Sequence, residues 1–138
     1  MTTTPEANKR ILRRLFDEVI NGHNYAVIDE LFAPDYVNHG PFPAETPDLP
    51  SLKRFFAANP KAFPDLRVEL KEVIAEGDLV AYRAVVRGTH RGEFAGMKPT
   101  GRSVNVVEIN ISRFREGKMV EHWALLDEAS MLRQLTGK

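Results

Sequence analysis

The stretch VNVVEINISRFREGKMVEHWALLD, residues 104–127, decides the fold of this chain. Val104 to Arg115 and Met119 to Asp127 are two runs of strand-forming residues, and Glu116-Gly117-Lys118 between them is a tight hairpin turn. Side chains alternate along a strand, so Val107, Ile109 and Ile111 share one face while Glu108, Asn110 and Ser112 share the other. On the second run the division is Glu121, Trp123, Leu125 and Asp127 against His122, Ala124 and Leu126.

Upstream of this hairpin lie two more strands. Leu66 to Glu76 alternates in part and ends at the turn Glu76-Gly77-Asp78, and Leu79 to Thr89 follows. Gly92 to Gly101 is a glycine-rich excursion carrying Pro99. Before the strands come helices. Ile11, Leu12, Leu15, Phe16, Val19 and Ile20 fall at three- and four-residue spacing, which predicts an amphipathic helix over Glu6 to Asn21, with Thr4 and Pro5 placed as cap and first-turn residues. Asn21-Gly22 ends it. A second helix is expected over Tyr25 to Leu31, burying Phe32 beside it, then a short extended segment over Tyr36 to His39. Gly40 to Pro50 reads as a proline-rich loop, and Ser51 as the cap of a third helix over Leu52 to Phe63. A short helix over Ala129 to Leu135 closes the chain. Helices first and hairpin-linked strands after them imply an α+β fold with a mostly antiparallel sheet, in one domain over residues 6–136 behind a disordered tail, Met1 to Pro5.

Composition bounds the function. Lys plus Arg and Asp plus Glu number 19 each, and such a balance argues against a nucleic-acid surface, which needs surplus cations. The chain has no cysteine, so disulfides, thiol nucleophiles and thiolate metal sites are excluded. A polar N-terminus and the lack of a membrane-length apolar run give no membrane partner and a cytoplasmic expectation. Four scattered histidines without an HxH or HExxH pair give no metal-site signal. No nucleophile elbow, phosphate-cradling loop or dinucleotide fingerprint is present.

Four stretches in order resemble the SnoaL-like polyketide cyclases of the NTF2-like superfamily. They are Leu31-Phe-Ala-Pro-Asp-Tyr-Val-Asn-His39, Phe63-Pro-Asp-Leu66, Gly88-Thr-His-Arg-Gly-Glu-Phe94 with Pro99-Thr-Gly101, and Gly117-Lys-Met-Val-Glu-His-Trp123 with Asp127. The resemblance implies an NTF2-like cone, a curved sheet wrapped around the N-terminal helices with a pocket at its open end. It also implies a homodimer through the outer sheet face. Founding members of the family close a ring of an aromatic polyketide by intramolecular aldol condensation, with an acidic residue as general acid/base and no cofactor.

An aldol cyclase must take a proton next to a carbonyl and stabilise the enolate, and a carboxylate suited to that work is one whose pKa burial has raised. Asp127 follows the apolar run Trp123 to Leu126, where the resemblance places the family's acid/base. It is equally suited to cap the terminal helix. His122 is the next catalytic candidate, able to exchange a proton or donate to an enolate. A regular strand cannot turn both His122 and Asp127 into one pocket, and the face of Trp123 and Asp127 is the one expected to look inward. For Glu108 and Asn110, solvent is the expected side in an open sheet, and a polar-lined cone would reverse it. The resemblance puts His39 and Asn38 at the cavity border, with Tyr36 nearby. His39 is thus the third catalytic candidate, and Tyr36, Asn38, Glu108, Asn110 and Trp123 are candidate substrate contacts. His90 reads as a surface-turn histidine, His23 as solvent-exposed, and Phe94 and Met97 as residues over the pocket mouth or against a partner. The expected activity is a cofactor-independent cyclase, or a related isomerase or hydrolase, on a small apolar carbonyl compound. The rival expectation is a module of the same fold that binds such a ligand, or dimerises, without reacting it.

Overall fold

Helix α1 (Pro5–Arg14) begins where its cap chemistry dictates: the Ala7 N–H donates to Thr4 Oγ1 at 3.1 Å and Pro5 fills the first turn. The computed structural model describes residues 4–40 and 46–138. Of the expected tail, Met1 to Thr3 lie outside the described residues, while Thr4 and Pro5 belong to the helix. The apolar stripe continues as expected through Leu12, Leu15, Phe16 and Val19, all buried. Its last part, Leu15–Ile20, widens into a π-helical turn that the periodicity does not show. A short 3₁₀ turn (Tyr25–Val27) and α2 (Ile28–Leu31) follow, and β1 (Phe32–Asn38) starts at once, so Phe32 opens a strand instead of flanking a helix. Pro34 is tolerated there because β1 lies at a sheet edge.

Helix α3 (Leu49–Ala62) starts earlier than expected. Asp48, not Ser51, is its cap, accepting from the Ser51 N–H at 3.0 Å, and Pro50 sits in the first turn, where no helical donor is lost. Residues 41–45 of the expected loop lie outside the described residues. The rest is β2 (Arg67–Glu76), β3 (Leu79–Thr89), β4 (Ser103–Arg115), β5 (Lys118–Leu126) and α4 (Glu128–Thr136), close to the expected bounds. None of the described helices is long and apolar enough to cross a membrane.

The strands form one five-stranded sheet in the order β1, β5, β4, β3, β2, antiparallel except for the β1–β5 pair. Register shifts interrupt three of the four pairings, between Phe32 and Val37, Leu70 and Val73, and Arg113 and Phe114. Such bulges bend and coil a sheet, and here it curves around the N-terminal helices. Leu12, Phe16 and Val19 pack with Val80, Tyr82, Phe114 and Met119 into the main core. Asn21 ties the end of the π-helical turn to the edge of β2: its Nδ2 donates to Val68 O at 2.8 Å, and the Val68 N–H donates to its Oδ1 at 2.9 Å.

The faces of the central strands are the reverse of the expected ones. Asn110 is 2% and Ser112 0% exposed on the concave side, whereas Ile109 is 51% and Leu125 76% exposed on the convex side. Trp123 is outside with them. The expectation of a solvent-facing Glu108 and Asn110 and an inward Trp123 and Asp127 is therefore corrected. The concave side encloses a cavity with polar lining, and the convex side of this chain carries the apolar residues.

Candidate functional site

The cavity measures about 330 Å³ and lies between the concave sheet face and the helices. Its volume is in the range of small-molecule sites. Phe16, Phe32, Phe55, Phe56 and Phe63 supply much of its wall. The polar groups come from the sheet floor, and the strand register sets them in transverse rows. Asn38 on β1 pairs with His122 on β5, which pairs with Ser112 on β4. In the next row Ala124 pairs with Asn110, and Asn110 with Tyr82. In the third, Leu126 pairs with Glu108, and Glu108 with Ala84. Ala124 thus leaves a gap in the floor bordered by polar neighbours.

Burial pushes the Glu108 carboxyl above the usual carboxylate range, and the nearby Asn110 amide only partly opposes this. That amide completes no hydrogen bond of good geometry, since Asn110 Nδ2 is buried without a partner. An unpaired buried donor is costly, and a ligand oxygen would relieve it. Asn38 Oδ1 accepts from the Gly40 N–H at 3.0 Å, which orients its amide. Gly40 is required there, because a Cβ would stand 2.5 Å from the Ala124 carbonyl oxygen. Burial raises the Tyr36 hydroxyl pKa, so the phenol remains a protonated donor. His122 is pushed the other way, down to about 4, chiefly by burial and then by the charge of His39. Its Nδ1 lies 2.9 Å from Ser112 Oγ and 3.2 Å from Tyr82 Oη, and those two oxygens are 3.0 Å apart.

Five sequence candidates meet in this cavity: Tyr36, Asn38, Glu108, Asn110 and His122. Three do not. Asp127 is exposed and caps α4, its Oδ1 accepting from the Ser130 N–H at 3.1 Å. Trp123 stands on the convex face. His39 does not line the cavity; its N–H donates to His122 O at 2.7 Å. The His39 ring turns outward, stacks on Trp123 at 4.9 Å between centroids and meets Glu121 Oε2 at 3.0 Å. Of the secondary candidates, His23 is exposed and Phe94 lines the cavity beside Phe63, 5.2 Å between centroids. His90 is wholly buried rather than on a surface turn, its Nδ1 accepting from the Thr100 N–H at 3.2 Å.

Sequence reasoning did not pick out Tyr82 as a site residue, and it treated Ser112 only as one of a polar row. The signal available for Ser112 was the inner face of β4, once that face is known to be concave, and for Tyr82 its place on β3 opposite Asn110. The described lining contains no lysine or arginine. Among the described residues, no group of three His, Asp or Glu converges as a metal site requires.

Such a pocket can hold a largely apolar molecule, offer several neutral hydrogen-bond donors to its oxygens and exchange a proton through the buried Glu108 carboxyl, the other carboxyl of the lining, Glu128, being exposed. The chain is similar to several known proteins. The aklanonic acid methyl ester cyclase AcmA of Streptomyces galilaeus is 32% identical, over 90% of this chain and 87% of that protein. The nogalonic acid methyl ester cyclase of Streptomyces nogalater is 30% identical, over 78% and 82%. The crystal structure of IdmH from Streptomyces antibioticus superposes with a TM-score of 0.81 at 36% identity, covering 94% of this chain and 98% of that one. The family model described as SnoaL-like polyketide cyclase matches residues 10–135, and the chain belongs to that family.

Proposed function

We propose that this chain is a cyclase that closes a ring in a neutral, largely apolar polyketide-type carbonyl compound by intramolecular aldol addition, with Glu108 as the acid/base. The observation that carries the proposal is the Glu108 carboxyl itself: it lines an apolar cavity, its pKa is raised by burial, and Asn110 stands beside it on the same floor, with His122 two rows further along. A base so tuned works nearer neutral pH than an exposed carboxylate would. In the proposed reaction the Glu108 carboxylate takes the proton from the carbon next to a substrate carbonyl. The electron pair moves to that carbonyl oxygen, where the donors Tyr36, Asn38 and Asn110 are suited to receive it. The enolate carbon then adds to a second carbonyl of the same molecule, and the new alkoxide takes the proton back from Glu108.

The lining also supports a substrate without a free carboxylate. An anionic group would be buried near Glu108 with no lysine or arginine to compensate it, which is costly. Methyl esters, which the names of two relatives specify, satisfy that condition. We further propose a homodimer through the convex face. Val107, Ile109, Ile111, Trp123 and Leu125 are exposed there on two paired strands, an apolar surface of the kind a second copy covers.

The test is turnover of aklanonic acid methyl ester by the wild type, Glu108→Gln and Asp127→Asn. Loss of at least about 100-fold in the first variant alone is expected. Full turnover by Glu108→Gln would refute the assignment, and saturable binding without turnover by the wild type would favour a non-catalytic binding module.

A further inference from the structure

Three polar atoms on the cavity floor form a closed triangle: His122 Nδ1, Ser112 Oγ and Tyr82 Oη, with sides of 2.9, 3.0 and 3.2 Å. Ser112 is wholly buried and off the cavity lining, and Tyr82 is nearly buried at the cavity wall, so with no ligand present the acceptors at hand for both hydroxyl hydrogens are those of the triangle. Two hydroxyls supply two hydrogens. If Nδ1 is unprotonated, both are used: Tyr82 donates to Ser112 Oγ and Ser112 donates to Nδ1. If Nδ1 carries a proton, three hydrogens compete for the two oxygens, because the protonated nitrogen no longer accepts. One hydroxyl hydrogen is then left without an acceptor in the triangle.

We infer that Ser112 and Tyr82 are positioning residues that hold His122 in the neutral tautomer with its proton on Nε2, which makes His122 a hydrogen-bond donor to a substrate oxygen and not a base. The inference rests on the catalytic reading of the cavity for its purpose, and on the triangle alone for its geometry. The ring lines the cavity, and with Nδ1 engaged by the hydroxyls, Nε2–H is the atom left for a ligand. A neutral imidazole has the advantage that it polarises a carbonyl without giving up its proton. The division of labour follows. Glu108 moves the proton, and His122 joins Asn110 and Tyr36 as a fixed donor at the oxygen. Burial, which disfavours the imidazolium, acts in the same direction as the triangle.

The test is ¹⁵N NMR of the imidazole in the full-length protein at neutral pH, with no ligand added. The wild type is expected to show Nδ1 unprotonated and accepting a hydrogen bond, and the proton on Nε2. In Ser112→Ala, Tyr82→Phe and the double variant, the Nδ1 resonance is expected to shift toward that of a free unprotonated nitrogen, most in the double variant. Ser112→Asp, which replaces the donor with an acceptor, is the converse: the proton is expected on Nδ1 and the His122 titration at higher pH. A proton on Nδ1 in the wild type overturns the inference, as does an Nδ1 resonance that none of the three hydroxyl-removing variants moves. If the double variant does not fold, Ser112→Ala alone decides, since it removes the shorter contact. Failure of the catalytic reading shows separately, as absence of turnover in a protein whose tautomer is nonetheless locked.

Discussion

His122 and Trp123 are neighbours in the chain and stand on opposite faces of β5. The His122 ring enters the cavity with Nδ1 2.9 Å from Ser112 Oγ, while the Trp123 ring lies outside against that of His39. Which residues of β4 each face meets is fixed by a single extra residue. Phe114 pairs with Met119 but Arg113 pairs with Glu121, so Val120 has no partner on β4. Beyond that bulge the register is shifted by one, and the polar residues of β4 meet the His122 row instead of the Trp123 row.

The same bulge gathers the apolar residues outside, where Ile109 pairs with Leu125 and Ile111 with Trp123. If a second copy covers them, a charge in their midst must break the dimer without disturbing the fold. Leu125→Asp is expected to sediment or elute as a monomer while its thermal midpoint, measured below the dissociation range of the wild type, is unchanged. A wild type that is already monomeric at tens of micromolar, by light scattering, would remove the dimer from consideration.

Much of this architecture is legible in the sequence, because periodicity and turn chemistry are local. The Glu116-Gly117 turn, the strand over Leu79 to Thr89 and the apolar stripe of the first helix are recovered nearly residue for residue. The site is harder to read, for two physical reasons. Alternation along β5 shows that His122 and Trp123 differ in face, but a bulge at Val120 leaves no compositional mark, since Met119 and Val120 are both simply apolar and both buried. The usual rule of apolar inside and polar outside also fails for a sheet whose concave side encloses a cavity. Glu108, Asn110 and Ser112 look like a solvated row and are the pocket floor. Asp127 misleads for the opposite reason, because a carboxylate at the end of an apolar strand is equally what a helix cap requires.

That cap carries the next prediction. Asp127 Oδ1 satisfies the Ser130 N–H at the first turn of α4, and Met131 and Leu135 of that helix pack on Val104 and Val106. Asp127→Ala is expected to lower stability by about 1 kcal/mol in urea titrations. Its turnover, measured well below the unfolding midpoint, is expected to stay within about threefold of the wild type. A loss of 100-fold or more with the fold intact would restore Asp127 to the chemistry.

Glu108 predicts a stability change of opposite sign. Its folded pKa is raised, so its favourable contribution is complete below the unfolded value and disappears as pH rises through the folded one. Above that folded pKa the wild type holds a buried carboxylate that Glu108→Gln removes. The variant is therefore expected to be more stable than the wild type at pH 8 and to lose that advantage toward pH 4. An inactive enzyme that is the more stable one would mark Glu108 as a group kept for function at a cost in stability. Equal stability of the two proteins across this range would mean that the carboxyl is not strained by burial.

His122 gives the complementary acid limb. Its folded pKa is depressed from 6.5 to about 4, so the stability it contributes is present above pH 6.5 and is lost as pH falls through the folded value. A difference of that size corresponds to at most about 3 kcal/mol. His122→Asn keeps a polar side chain at the position and has nothing to protonate, so its stability is expected to fall less steeply between pH 6.5 and 4 than that of the wild type. Glu108 protonates first in the folded state and acts the other way in both proteins, so the comparison between them isolates the imidazole. Urea unfolding at pH 7, 5.5 and 4.5 supplies the measurement. Parallel decline of the two curves would mean that His122 meets no penalty on protonation, and that the hydroxyls of Ser112 and Tyr82 do not constrain its charge.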